Sequence, residues 1–275
     1  MSSVIKMEWF RFRRSKSAYI IIVVLAFMFL FGTILDGTKD TNFHSQKSEK
    51  GNNIELYTEG YDSDYSAEYS QKFEMLVSSF SGNIVPMAIL IFAGLFAGAY
   101  QKNKFEKNII GAVGKRYKLV WANLFICAVF CFFTIVLTLA ISLLGYIIFY
   151  PGFVEMPLGN MNDFLKYLGT YYFLLVSIAA TMSCFVQIIR NQILAIIIGL
   201  IYGSGIVYGI VDFISQTLGA ATFSIYKYVP LGTLYKLTIN SNNNVYLQAV
   251  LIAAVFAFVT LGINIAIRNR QDISV

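Results

Sequence analysis

Residues 119–150 read LVWANLFICAVFCFFTIVLTLAISLLGYIIFY, with no Asp, Glu, Lys, Arg or His among them. A helix needs about 20 apolar residues to cross the hydrocarbon core of a bilayer. This stretch is long enough to cross and still project beyond it. In water, a helix apolar on every face would have to be buried on every face. The run is therefore expected to lie in lipid, and either to project or to bend near Gly145 before Pro151 stops it.

On either side of it the same pattern recurs. Ser17–Leu35, Asn83–Tyr100, Tyr167–Ile189, Gln192–Val211 and Val245–Ile267 are each apolar over a span-like length. The expectation is an all-α integral membrane protein with six transmembrane helices, forming one transmembrane domain over residues 1–275. Composition agrees: 57% of residues are hydrophobic, 16% aromatic and 13% charged, and the mean hydropathy is +0.64. Soluble domains carry about 25% charged residues. A disordered chain, a nucleic-acid-binding module and a secreted disulfide scaffold are all excluded. The first span follows a basic N-terminus as a signal peptide would. Its apolar core exceeds the roughly 7–15 residues of a signal sequence, and no small-residue cleavage site follows, so it reads as a retained span.

The charges sort by side. The N-terminus, residues 101–118, Arg190 and the C-terminus hold 14 Lys/Arg and three acids, Glu8, Glu106 and Asp272. Residues 36–82, 150–166 and 212–244 hold seven Lys/Arg and 12 acids. The basic side is expected to be cytoplasmic, with both termini on it. On this reading the net charge of +6 reflects topology rather than a nucleic-acid partner.

No ionisable residue stands deep in a span, which disfavours proton coupling and charge sensing. The single histidine, His44, falls in the external loop, and neither HExxH nor GxxxxGK[ST] occurs. Gly203-Ser204-Gly205 resembles a nucleophile motif, but no base is available beside it, so helix packing is the reading. Cys127, Cys131 and Cys184 fall in apolar runs and are expected to pack as small hydrophobes. No catalytic residue, metal site or cofactor is expected in the chain. Any energy source must act through a partner.

Five regions carry the functional expectation. In residues 1–16, Ile5, Trp9 and Phe12 share a helical stripe with basic residues around it, which predicts a cytoplasmic interfacial helix against membrane lipid. In the loop QKNKFEKNIIGAVGKRYKLVWANL, residues 101–124, Phe105, Ile109, Ala112 and Val113 follow helical spacing among charges. Such a helix either docks in a groove of a soluble partner or lies against lipid as a connector. The large extracellular loop, residues 36–82, carries nine acids against four lysines, with Tyr57, Tyr61, Tyr65, Tyr69 and Phe73 at every fourth position. A helix is predicted there over about Ile54–Phe80. It either packs on the outer mouth of its own spans or contacts a cationic amphipathic cargo. Gly199/Gly203 and Gly205/Gly209 form two Gly-xxx-Gly pairs, and Gly94/Gly98 a third, which let helix backbones approach closely in lipid. Residues 212–244, with the Tyr-Val-Pro-Leu-Gly turn at 228–232, form a long apolar external segment.

The basic amphipathic N-terminal helix, six spans, large first external loop and second-to-third-span loop together resemble the type-2 family of ABC transporter permeases. Glu106, Gly111 and Lys115-Arg116 match that family's loop, with Asn108-Ile109-Ile110-Gly111 where Gly-Thr commonly follows the acid. The resemblance implies that residues 101–118 are a coupling loop seated on a separate ABC ATPase subunit, with Phe105, Glu106, Ile109 and Ile110 as contacts. ATP and Mg would bind in that partner. It also implies a second permease copy, with the first and fifth spans at or near the seam, short re-entrant helices before the last span, and a bacterial cytoplasmic membrane. The expected function is export of a hydrophobic or amphipathic cargo, such as a bacteriocin, lantibiotic or toxin peptide, in resistance or immunity. Lipid, glycan and small-drug cargo stay open. A non-transporting scaffold or sensor with a ligand-binding external loop is the alternative, and a membrane-embedded enzyme a distant third.

Overall fold

The computed structural model describes residues 2–46, 71–80, 82–102, 117–150, 153–206, 210–211 and 225–270. Their secondary structure is helical throughout: α1 (Ser2–Arg13), α2 (Lys16–Gln46), α3 (Lys72–Ser78), α4 (Ile84–Lys102), α5 (Tyr117–Phe149), α6 (Met161–Ile189), α7 (Gln192–Gly203), a 3-10 turn (Ile225–Tyr228), α8 (Pro230–Lys236) and α9 (Asn243–Arg270).

Four helices are long and apolar enough to cross a membrane, over Lys16–Ile34, Tyr117–Phe149, Met161–Ile189 and Asn243–Asn269. The apolar parts of α4 and α7 are shorter. The 12 residues of α7 rise only about 18 Å. The run expected to continue to Val211 is interrupted after Gly203, where Gly205 takes φ +77°. A left-handed backbone at glycine ends a helix without steric cost.

Helix α5 is unbroken from Tyr117 to Phe149 and rises about 50 Å. No break in the helix falls at Gly145. That glycine marks a close approach instead, because a Cβ on it would lie 2.5 Å from Thr33 Oγ1 of α2. In lipid, helix association rests on this kind of close packing, since the surroundings are as apolar as the helix faces.

Helix α6 is the central element and packs along α9, α4, α5 and α7. Tyr171, Leu174, Ile178 and Met182 are wholly buried on it. Small residues on its neighbours, such as Ala249 and Ala253 of α9, bring the backbones together. Between α6 and α7 stand only Arg190 and Asn191. Arg190 is left-handed at φ 56°, and Asn191 Oδ1 accepts from Ile193 N and Leu194 N, capping α7.

At the other end of the bundle α3 is clasped by the segment before α6. Lys72 N donates to the Pro157 carbonyl and Lys72 Nζ to the Val154 carbonyl, each at 2.9 Å. Phe73 stacks on Phe164 with centroids 4.4 Å apart, and Phe80 packs edge-on to Tyr171. Asn240 Nδ2 donates to Glu74 Oε1 at 2.9 Å, tying α3 to the chain before α9. Of the helix predicted over Ile54–Phe80, α3 is the part that falls among the described residues. Helix α8, where re-entrant helices were expected, buries Pro230, Leu231, Gly232 and Leu234 against α6 and α9. The three cysteines are buried and free.

Candidate functional site

The end of the bundle carrying α1 gathers the polar side chains. Val4 and Glu8 of α1 are buried, and Val4 packs on Leu119 and Ala122 in the first turns of α5. Arg11 Nη1 lies 3.3 Å from Glu8 Oε2, and its Nη2 donates to the Phe96 carbonyl of α4 at 2.5 Å. The guanidinium also covers the Phe96 ring, 4.0 Å from its centroid. Phe12 meets Phe92 of α4 and Phe130 of α5 edge-on. Helix α1 therefore grips both helices that flank residues 103–116.

Glu8 is thus turned inward, while Lys6 and Arg13 of the same helix, and Arg14 just after it, are exposed. Of the expected stripe, Phe12 packs against the core, Ile5 is half-buried and Trp9 stays on the rim, its ring tilted against Phe12 with centroids 5.7 Å apart. The inward face is carried by Val4, Glu8 and Arg11. Their spacing matches that of Ile5, Trp9 and Phe12, displaced by one residue. A reading that seeks apolar stripes passes over a face holding Glu and Arg.

A polar layer lies just inside this end. Asn123 Nδ2 of α5 donates to Ser183 Oγ of α6 at 3.2 Å, and Ser183 donates to the Ala179 carbonyl. Gln187 of α6 and Thr260, Asn264 and Arg268 of α9 are buried nearby in sequence register. Charge sorting placed Glu8 and Arg268 in the water layer; the structure buries both, at 0% and 4% exposure. The spacing of Thr260, Asn264 and Arg268 by fours was a readable signal, since it puts three polar groups on one face. Farther along α5, Thr134, Thr138 and Ser142 form a wholly buried hydroxyl line with the same spacing. Among the described residues no group of three or more His, Cys, Asp or Glu could hold a metal.

A family profile described as "ABC-2 family transporter protein" matches residues 4–207. The chain belongs to the ABC-2 transporter family. The match runs from α1 through the end of α7 and includes residues 103–116. The family is one of membrane transport subunits and implies an ABC ATPase partner. No curated protein matches the sequence.

In this ABC-2 family chain Phe105, Glu106, Ile109 and Ile110, expected to contact an ATPase, lie outside the described residues, as do Tyr57, Tyr61, Tyr65, Tyr69 and Gly209. The glycines of α7 that are described face inward. A Cβ on Gly199 would sit 2.5 Å from Met182 Sδ of α6, and one on Gly203 would sit 2.6 Å from Leu90 Cδ1 of α4. These two seat α7 within its own subunit. Gly205 has open space around its Cβ position. Ser204 Oγ donates to the Ile201 carbonyl at 2.8 Å, a local helix-end bond.

Proposed function

We propose that the chain is the permease subunit of an ATP-driven exporter in a bacterial cytoplasmic membrane, with the α1 end and both termini in the cytoplasm. Six crossings, α2, α4, α5, α6, α7 and α9, would accommodate that topology, with the segment around α8 re-entrant. The observation that carries the reading is the position of α1. It fastens α4 to α5, the two helices from which residues 103–116 are suspended, in a chain whose family match covers that loop. Motion delivered to the loop by an ATPase therefore passes into a braced pair of helices rather than a loose connector.

On this reading Phe105, Glu106, Ile109 and Ile110 contact the ATPase, which binds ATP and Mg. Two permease copies pair, each on one ATPase. The cargo is hydrophobic or amphipathic, and the acidic, tyrosine-bearing external loop favours a cationic peptide, including bacteriocin, lantibiotic or toxin types handled for resistance or immunity.

Co-expression with an ABC ATPase tests the coupling. Glu106→Lys combined with Ile109→Asp is expected to abolish co-purification, and retained association would overturn the docking assignment. In the reconstituted complex, cationic amphipathic peptides are expected to stimulate ATP hydrolysis more than lipids or small drugs do. The reverse order would remove the peptide assignment.

A further inference from the structure

Helices α5, α6 and α9 pack on one another, and each places a buried amide near the α1 end. Asn123, Gln187 and Asn264 are 4%, 2% and 4% exposed. The carbonyl oxygen of each amide has no hydrogen-bond partner among the described residues.

Register sets the depths of the three. Helices α6 and α9 are tied at their first turns by Lys166 Nζ donating to Asn243 Oδ1 at 3.2 Å. Gln187 and Asn264 stand the same number of residues farther along their helices, so the equal rise per residue puts them at a similar depth in the bundle. Ser183 and Gln187 are one turn apart on one face of α6. Asn123 is bonded to Ser183 and so lies within a turn of Gln187.

Three buried amide oxygens at similar depth on α5, α6 and α9, helices that pack on one another, call for hydrogen-bond donors. Leaving them unmet in a low-dielectric interior is costly. A cation could supply the attraction, but among the described residues no group of three or more His, Cys, Asp or Glu could hold a metal ion. Water is small and neutral, and it donates twice. We propose that the α5–α6–α9 junction is a water-binding site, and that water reaches it from the α1 end. The path is short: Asn123 is about 9 Å of helix from Tyr117, and Gln187 lies in the last turn of α6.

The test uses the full chain in opened membrane vesicles, with Cys127, Cys131 and Cys184 replaced by alanine. Single cysteines are introduced as Asn123→Cys, Gln187→Cys and Asn264→Cys. Leu174→Cys and Ile178→Cys, at wholly buried mid-helix positions, give dry references. The probe is a charged methanethiosulfonate. Because a thiol reacts only where reagent and water reach it, modification at the three amide positions is expected to be at least about tenfold faster than at the references. Equal rates would overturn the proposal.

A second measurement avoids introduced cysteines. Asn264→Leu removes one oxygen at similar volume. If that oxygen is bonded to water, the melting temperature of the detergent-solubilised protein falls, because other members of the site lose their shared solvent. A rise or no change overturns the proposal. Neither readout needs an ATPase, so the outcome is independent of the permease assignment.

Discussion

Arg11 holds Phe96 through both ring and backbone: its guanidinium carbon is 4.0 Å from the ring centroid, and its Nη2 donates to the Phe96 carbonyl oxygen. One side chain thus covers an aromatic face and satisfies a carbonyl near the last turns of α4. Lysine keeps the charge but lacks the planar fork that does both at once. Arg11→Lys is therefore expected to weaken the seating of α1 by about 2 kcal/mol, the scale of one charge-assisted hydrogen bond. Limited trypsinolysis at Arg13-Arg14 reports it, with faster cleavage in the variant. Unchanged cleavage would show that the contact contributes nothing to holding α1.

Gly199 and Met182 compete for the same space. Gly199→Ala forces the thioether aside and is expected to lower stability by about 1–3 kcal/mol, the usual range for overpacking. The obstructing atoms end a flexible side chain, so Gly199→Ala with Met182→Ala is expected to lose less than the sum of the two single changes. Thermal unfolding in detergent measures the coupling. Strict additivity would mean that the two residues do not meet.

Gly145 faces a stiffer neighbour. The position of a new Cβ there is 2.5 Å from Thr33 Oγ1 and 2.9 Å from Thr33 Cβ. A β-branched side chain has little rotamer freedom to retreat. Gly145→Ala is expected to cost more than Gly199→Ala, because α2 must back away from α5. A cross-link between cysteines placed on the facing surfaces of α2 and α5 should form more slowly in the variant. An equal or smaller stability loss than at Gly199 would contradict the close approach.

Arg190 sits in the left-handed region at φ 56°, which costs a side chain with a Cβ roughly 1–2 kcal/mol. Arg190→Gly is expected to raise thermal stability, while Arg190→Val is expected to lower it. Asn191→Ala removes the acceptor that caps α7 and is expected to cost about 1 kcal/mol. If Arg190→Val proved as stable as Arg190→Gly, the left-handed turn would be wrong.

The helical class and the apolar runs were legible because lipid leaves a plain signature: long stretches without charge. The interior was harder to read, since in lipid an apolar residue packs equally well outward or inward. Gly145 shows the ambiguity. A glycine in a long helix marks either a bend or a close approach, and only the position of Thr33 decides between them. Interruption of the fifth apolar run after Gly203 was equally hidden, because Ser204-Gly205 reads as another small-residue packing pair. At the α1 end, sorting charges by loop assigned Glu8 and Arg268 to water. Such sorting registers position along the chain and is blind to which helix face a charge occupies. The amides Asn123, Gln187 and Asn264 carry no formal charge and left that sorting unchanged.

The tight turn at Arg190-Asn191 joins a central helix to a short one with almost no slack. Whatever displaces the α1 end of α6 must drag the start of α7 with it, as a towed hull follows on a short line. Because α7 is too brief to reach across the bilayer by its own length, a modest pull at that end is conveyed to the broken backbone beyond Gly203. The interrupted helix is thus harnessed to the buried centre of the bundle.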